Sequence, residues 1–298
     1  MSDPAASYPK GAVVHPKLQN ILFTTDFSPC ADAALPYARA LAERYNSTVH
    51  VLHVVGLEPV TGEFSVHFGD LLEKEIDAAR CKLNELTRSD KFRGLLYTQT
   101  IQRGAVWEVV SRVVRNLQID LIVLATHGRS GLKQLVLGSV AEQIFRSVSC
   151  PVLTIGPECK DGMAEGKLAA VLCATDFSPA SLRAFEYALF FAQTNKAKLF
   201  LLHAISGNEA MLAKLDAEFR KAKRLLADLV SQAPDIDCEA AVVSGAAAEA
   251  ILRLAGDAKA DLIVMGAHRG ALVAAHSPWA VAHKVVCHAH CPVLTVRT

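Results

Sequence analysis

The sequence lacks an apolar run long enough to cross a bilayer. Hydrophobic residues make up 51% of its 298 positions, but its apolar runs, such as LIVLA at 121–125, have only the length of a β-strand. Residues 1–16, MSDPAASYPKGAVVHP, also lack the charged segment and the apolar segment of a secretion signal. We therefore predict a cytoplasmic protein with no membrane partner.

The chain also has little excess charge and no cysteine pair of the CxxC type. Its 31 Lys and Arg side chains nearly balance 30 Asp and Glu side chains, for a formal net charge of +1. This balance argues against a general nucleic-acid surface. Most of the eight cysteines lie in apolar runs, as in VLCAT and HCPVL, which predicts buried thiols rather than a disulfide framework.

An internal repeat organises the chain. The string TDFSP occurs at 25–29 and at 175–179, an offset of 175 − 25 = 150, whereas IDLIVLATHG at 119–128 matches ADLIVMGAHR at 260–269, an offset of 260 − 119 = 141. The second copy is thus 150 − 141 = 9 residues shorter, and we predict that the missing piece lies in the loop 56–70. A repeat of this length indicates a duplicated domain. We place the two domains at 16–157 and 167–298, with a linker at 158–166.

Each copy alternates short apolar runs with helical patterns. Such alternation, with strands that are apolar on both faces, is typical of a parallel sheet covered by helices. We therefore predict an α/β fold of two tandem doubly wound domains, each with a five-stranded parallel sheet and helices on both faces. In the first copy, strands are predicted near 19–25, 48–55, 95–101, 120–125 and 151–155, and helices near 29–45, 69–88, 105–117 and 139–148.

Histidines and cysteines raise the question of metal binding or catalysis. CHAHC at 287–291, with His283 nearby, resembles a zinc site, but its last cysteine repeats Cys150, which has no such neighbours. We predict no metal there. His53 and its repeat mate His203 lie inside apolar strands and are predicted to satisfy core hydrogen bonds rather than to catalyse.

A ligand of an open parallel sheet binds beyond the carboxyl ends of its strands. Asp26 and Val54 end the first two strands, and the loop 125–138 leads from the fourth strand to Gly138-Ser139 at a helix start. A helix N-terminus with a glycine beside it is an anion site, and basic side chains in this loop add donors. The alternative, an ordinary turn capped by Ser139, stays open, because the loop is neither a Walker A sequence nor a dinucleotide fingerprint.

These residues resemble the universal stress protein family in its tandem, UspA-like form. The family motif G-x2-G-x9-G-[ST] is matched by Gly128, Gly138 and Ser139, with Ala125 in the first glycine position. The resemblance implies an adenine nucleotide alpha hydrolase-like fold. It also implies that the first copy binds ATP, with or without Mg²⁺, and that the Ala125 methyl leaves this binding unchanged or weakens it. The residues it implies are Thr25, Asp26, Val54, Gly104, Leu124, Ala125, His127, Gly128, Arg129, Gly138, Ser139 and Val140.

The second copy departs from this motif. Arg269, Trp279 and Ala280 stand where the first copy has Gly128, Gly138 and Ser139. We predict a pocket closed by packing of the Trp279 indole, and leave open a different anion paired with Arg269.

Three functions stay open at this point. The chain is an ATP-binding stress-response protein, a slow ATPase or phosphotransferase, or a nucleotide-free interaction module. Because Asp26 is the only acidic residue clearly placed beside the loop, we expect at most weak ATP hydrolysis and do not expect the chain to be an enzyme. We also predict that the two copies pack face to face through their last strands, PVLTI and PVLTV, because an unpaired strand edge is sticky. A homodimer of tandem chains stays open.

Overall fold

A computed structural model of the chain describes residues 16–56, 68–126, 139–160, 162–205, 212–267 and 278–297. Strands and helices alternate through both halves, and every predicted element of the first half is present to within two residues at each end. The first half contains β1 (Asn20–Thr24), α1 (Pro29–Tyr45), β2 (Thr48–Val55), α2 (Phe68–Arg88), β3 (Leu96–Arg103), α3 (Val106–Asn116), β4 (Leu121–Ala125), α4 (Ser139–Ser147) and β5 (Val152–Ile155). The second half contains β6 (Ala170–Ala174), α5 (Pro179–Asn195), β7 (Lys198–Ile205), α6 (Leu212–Val230), β8 (Cys238–Ser244), α7 (Ala247–Asp257), β9 (Leu262–Gly266), α8 (Pro278–His288) and β10 (Val293–Val296).

The strands form one continuous sheet in the order β3-β2-β1-β4-β5-β10-β9-β6-β7-β8. Strand pairs within each half are parallel, which confirms the predicted fold class. The halves join where β10 pairs antiparallel with β5, with Leu294 opposite Leu153. The last strands therefore meet as predicted, but edge to edge rather than face to face, because main-chain hydrogen bonding covers both strand edges at once.

Successive residues of each strand point to opposite faces of the sheet, and each face carries its own core. On β1, Ile21 and Phe23 belong to one buried cluster and Leu22 to the other. The first cluster takes in α1 and α5, and the second takes in α3, α4 and α8. Both clusters run through both halves, so the junction is part of the core.

The repeated Ser-Pro step begins α1 and α5 as predicted. Ser28 Oγ accepts the Ala31 N–H at 3.2 Å, and Ser178 Oγ accepts the Ser181 N–H at 3.3 Å. None of the described helices combines the length and the apolar character that a bilayer span requires. The domain boundaries at 157 and 167 stay predictions.

Candidate functional site

The carboxyl ends of the first-half strands form one edge of the sheet, with the topological switch point between β1 and β4. Phe23 of β1 pairs with Val123 of β4 on one side and with Val51 of β2 on the other. The strand order places Thr25, Asp26, Val54, Gly104, Leu124 and Ala125 along this edge. The structure therefore places these six members of the predicted site at the edge where such sheets bind ligands.

The TDFSP turn fixes the carboxylate at the mouth of this edge. Thr25 Oγ1 accepts the Phe27 N–H at 3.0 Å, and Asp26 Oδ1 accepts the Ser28 N–H at 3.0 Å. Phe27 has a φ of 61°, a left-handed conformation that costs a bulky side chain free energy and is concentrated at functional sites. Phe177 in the second copy has the same φ of 61°, so the turn is a shared feature of both halves.

His53 supports the turn from below. Its Nδ1 donates to the Thr25 carbonyl oxygen at 2.7 Å, its ring centroid lies 4.5 Å from that of Phe27, and it is 5% exposed. His203 makes the same bond to the Thr175 carbonyl at 2.8 Å, which confirms the prediction of core hydrogen bonds. We did not predict from the sequence that Phe27 packs on His53 and has a left-handed backbone, although its place in the repeated TDFSP string indicated a shared role.

Gly104 makes the turn between β3 and α3. Its φ is 135°, its N–H donates to the Val55 carbonyl at 3.1 Å, and a Cβ at this position would lie 3.3 Å from Val109 Cγ2. The positive φ therefore favours glycine, and an added Cβ would also require the Val109 side chain to shift by a few tenths of an ångström. The half-buried Val54 side chain lies one strand away, and together they give this end of the edge an apolar wall and bare main chain.

Ala125 ends β4, pairs with Ile155 and does not have a positive φ. The alanine methyl therefore takes up space but does not strain the backbone. The Leu124 side chain is buried in the core cluster that contains α3, α4 and α8, so the part of Leu124 left for a ligand at this edge is its main chain.

The phosphate-binding part of the prediction is described only at its helix. Ser139 begins α4, and Val140 is 42% exposed. His127, Gly128, Arg129 and Gly138 lie outside the described residues, as does the side chain of Ser139. Their roles stay predictions.

The second half has a cavity at the equivalent switch point. Its volume is about 190 Å³, and it is lined by residues that include Thr175, Asp176, Leu202, Met265 and Gly266. The Trp279 side chain lies outside the described residues, so the prediction that it closes the pocket stays a prediction. The described lining places this cavity at the ends of β6, β7 and β9.

Cysteine and histidine side chains also lie away from this edge of the sheet. Burial raises the pKa of Cys150 and of Cys291 to about 12, which fits the predicted buried thiols, whereas Cys81 is exposed. His290 Nδ1 lies 3.1 Å from Glu158 Oε2. Within the described ranges, no group of three or more His, Cys, Asp or Glu side chains is placed to hold a metal ion.

Comparisons with known proteins identify the family and the fold. A family model described as the universal stress protein family matches residues 17–156 and 169–297. Universal stress protein A homolog 1 of Coxiella burnetii is 36% identical over 140 residues, which cover 46% of this chain and 95% of that protein. A universal stress protein of Mycobacterium tuberculosis is 29% identical over 294 residues, 94% of this chain and 98% of its own. The crystal structure of a universal stress protein from Archaeoglobus fulgidus covers 95% of this chain and 97% of its own, with a TM-score of 0.73 and 22% identity, which shows the shared fold.

Proposed function

The chain belongs to the universal stress protein family, and on that premise we propose that its N-terminal domain binds an adenine nucleotide, ATP with or without Mg²⁺. The bound state then serves a stress-response or regulatory role. The observation that carries the proposal is the carboxyl edge of the first-half strands, where the TDFSP turn holds Asp26 after β1, Gly104 turns the chain after β3, and the chain that follows β4 leads to α4.

The described residues offer the two kinds of contact that a nucleoside needs. The Asp26 carboxylate is an acceptor for hydroxyl or amino groups of adenosine, and it is held in place by the Ser28 N–H. Half-buried Val54 offers an apolar surface to the base. The N-terminus of α4 supplies N–H groups and the positive end of its dipole for phosphates.

Binding is favoured over catalysis by what Asp26 already does. A hydrolytic base has to reach the attacking water with a poised carboxylate, but Asp26 Oδ1 is engaged with the main chain of its own turn. We propose that Asp26 positions the nucleoside, and that hydrolysis is slow. The C-terminal domain, with alanine at Ala280 in the place of the capping serine, is proposed to act as a structural or regulatory partner.

Calorimetric titration of the full chain with ATP tests the proposal. We expect one site per chain, at least about tenfold weaker binding, or about 1.4 kcal/mol, in Asp26→Ala, and complete loss in Gly138→Trp, which introduces the second-copy residue. Asp176→Ala is the matched control and should bind as wild type. Retained binding in Gly138→Trp, with an unchanged melting temperature, would refute the placement of the phosphates.

Single-turnover hydrolysis distinguishes the enzyme alternative. Wild type and Asp26→Ala, both saturated with ATP, are expected to hydrolyse it at the same slow rate. A rate that falls more than about a hundredfold in Asp26→Ala would instead identify Asp26 as a catalytic acid–base group.

A further inference from the structure

The linker between the halves fills a crevice on one side of their junction. Tyr37 of α1 donates its hydroxyl to the Lys160 carbonyl at 2.9 Å, and the Lys160 N–H donates to the His290 carbonyl at 3.0 Å. Met163, 5% exposed, belongs to the core cluster that contains Tyr37. The linker is therefore a packed part of the junction, held by main-chain hydrogen bonds and by one buried apolar side chain.

A groove of about 550 Å³ lies on the other side of the junction. Its walls are made of the repeat mates of the linker's surroundings, since 187 − 37 = 150 and 290 − 149 = 141. Tyr187 corresponds to Tyr37 and Ser149 to His290. Further mates in the lining are Asp120, Cys150 and Pro151, which correspond to Asp261, Cys291 and Pro292.

The two sides share geometry as well as residue types. Asp261 Oδ2 accepts the N–H groups of residues 169 and 170 at 2.7 and 3.0 Å, just after the linker. Asp120 Oδ2 accepts those of residues 19 and 20 at 2.8 and 2.9 Å. The chain that enters β1 is therefore anchored as is the chain that leaves the linker for β6.

The path of the chain names an occupant for the groove. Pro16 and Lys17 line it, so the described chain begins at its wall, and Lys17 corresponds to Lys167 at the end of the linker. The offset of 150 aligns Lys10 with Lys160 and Val13 with Met163. We propose that residues 8–15 of this chain bind in the groove, with the Lys10 carbonyl accepting the Tyr187 hydroxyl and the Val13 side chain in the place corresponding to Met163.

The charges in the groove favour a peptide segment over a small anion. Lys17, Arg115 and Arg183 line it together with Asp120 and Glu186, so opposite charges are mixed rather than gathered. Arg183 Nη1 is already held by the Arg297 carbonyl at 3.0 Å. A lining of this kind suits a segment recognised through its main chain and one apolar side chain.

Hydrogen–deuterium exchange of the full chain tests the proposal, read on a peptide covering 8–15. We expect the amides of this peptide to exchange at least about tenfold more slowly than their intrinsic rate in wild type. Val13→Asp should remove most of that protection because it places a charge where an apolar side chain is proposed to be buried. Tyr187→Phe should do the same because it removes the hydroxyl donor to the Lys10 carbonyl. Tyr37→Phe is the matched control, and it should speed exchange in residues 158–163 while leaving 8–15 unchanged.

Two results would overturn the proposal. One is exchange of residues 8–15 at the intrinsic rate in wild type. If peptides that line the groove then gain protection as the protein concentration rises, a second copy of the chain covers the groove instead. The other is protection of 8–15 that survives both Val13→Asp and Tyr187→Phe, since the segment would then bind elsewhere.

Discussion

Replacement of Gly266 by alanine is expected to destabilise the protein by about 2–3 kcal/mol. A Cβ at this position would lie 2.5 Å from the Ser181 amide nitrogen and 2.8 Å from the Ala180 carbonyl carbon. Both are backbone atoms of the first turn of α5, so no side-chain rotation relieves the overlap. An ordinary contact begins at 3.4 Å, and the helix start has to move by 3.4 − 2.5 = 0.9 Å.

That movement acts on the start of α5 as well as on the packing. Overpacking of a dense core costs about 1–3 kcal/mol. We expect the upper part of that range because the displaced turn also contains the Ser178 cap, which accepts the Ser181 N–H at 3.3 Å. The cost should appear as a lower urea midpoint of the full chain, followed by far-ultraviolet circular dichroism.

Gly256→Ala is the matched control. Gly256 lies in α7, its φ is not positive, and nothing lies within 4 Å of the added Cβ. Alanine there should stabilise the protein by about 0.5–1 kcal/mol through helix propensity. If the midpoint of Gly266→Ala equals or exceeds that of wild type, the close approach of β9 and α5 is wrong.

Three further changes follow from the described contacts. Ser28→Ala removes the cap of α1 and should cost about 1 kcal/mol in urea unfolding; an unchanged midpoint would show that the cap does not stabilise the fold. Thr25→Val deprives the buried turn of the acceptor for the Phe27 N–H, which should cost about 1–3 kcal/mol and weaken ATP binding, with both effects absent if the turn does not depend on that bond. Burial raises the pKa of Cys150 to about 12, so iodoacetamide at pH 8.5 should label exposed Cys81 but not Cys150 in the native protein, and rapid labelling of Cys150 would contradict its burial. The free energy of unfolding should also fall as the pH rises from about 9 to about 12, because the Cys150 thiol ionises first in the unfolded chain.

The sequence was most informative where local rules act alone. The Ser-Pro helix starts, the strand bounds and the core histidines were predictable, because capping, apolar periodicity and burial each leave a mark within a few residues. Repetition strengthened every such inference, since the same signal in two places at one offset is rarely accidental. The carboxyl edge followed from strand order, which is a rule about topology rather than about any side chain.

Features that depend on three-dimensional fit were missed. The left-handed φ of Phe27 is accompanied by contact of its ring with the His53 ring and by a hydrogen bond from its N–H to Thr25 Oγ1, and neither contact is visible in the sequence. The segment 158–166 was predicted only as a linker, since it is polar and contains glycine, yet Met163 is buried within it. The two sheets could have packed through their faces or paired through their edge strands β5 and β10. Hydrophobic patterns in the sequence do not distinguish these two arrangements.

The two halves share the support of the candidate site but differ in the loops above it. The turn at Phe27 and Phe177, with its φ of 61°, and the bond from His53 or His203 to the carbonyl two residues before that turn are the same in both copies. A frame held by identical contacts gives both halves a carboxylate in the same place, so it does not by itself select a ligand. The segments that follow β4 and β9 differ in sequence, since glycine and serine in one copy correspond to arginine, tryptophan and alanine in the other. A shared frame of this kind is compatible with different ligands, because binding residues lie mainly on the loops that a fold carries rather than in the fold itself.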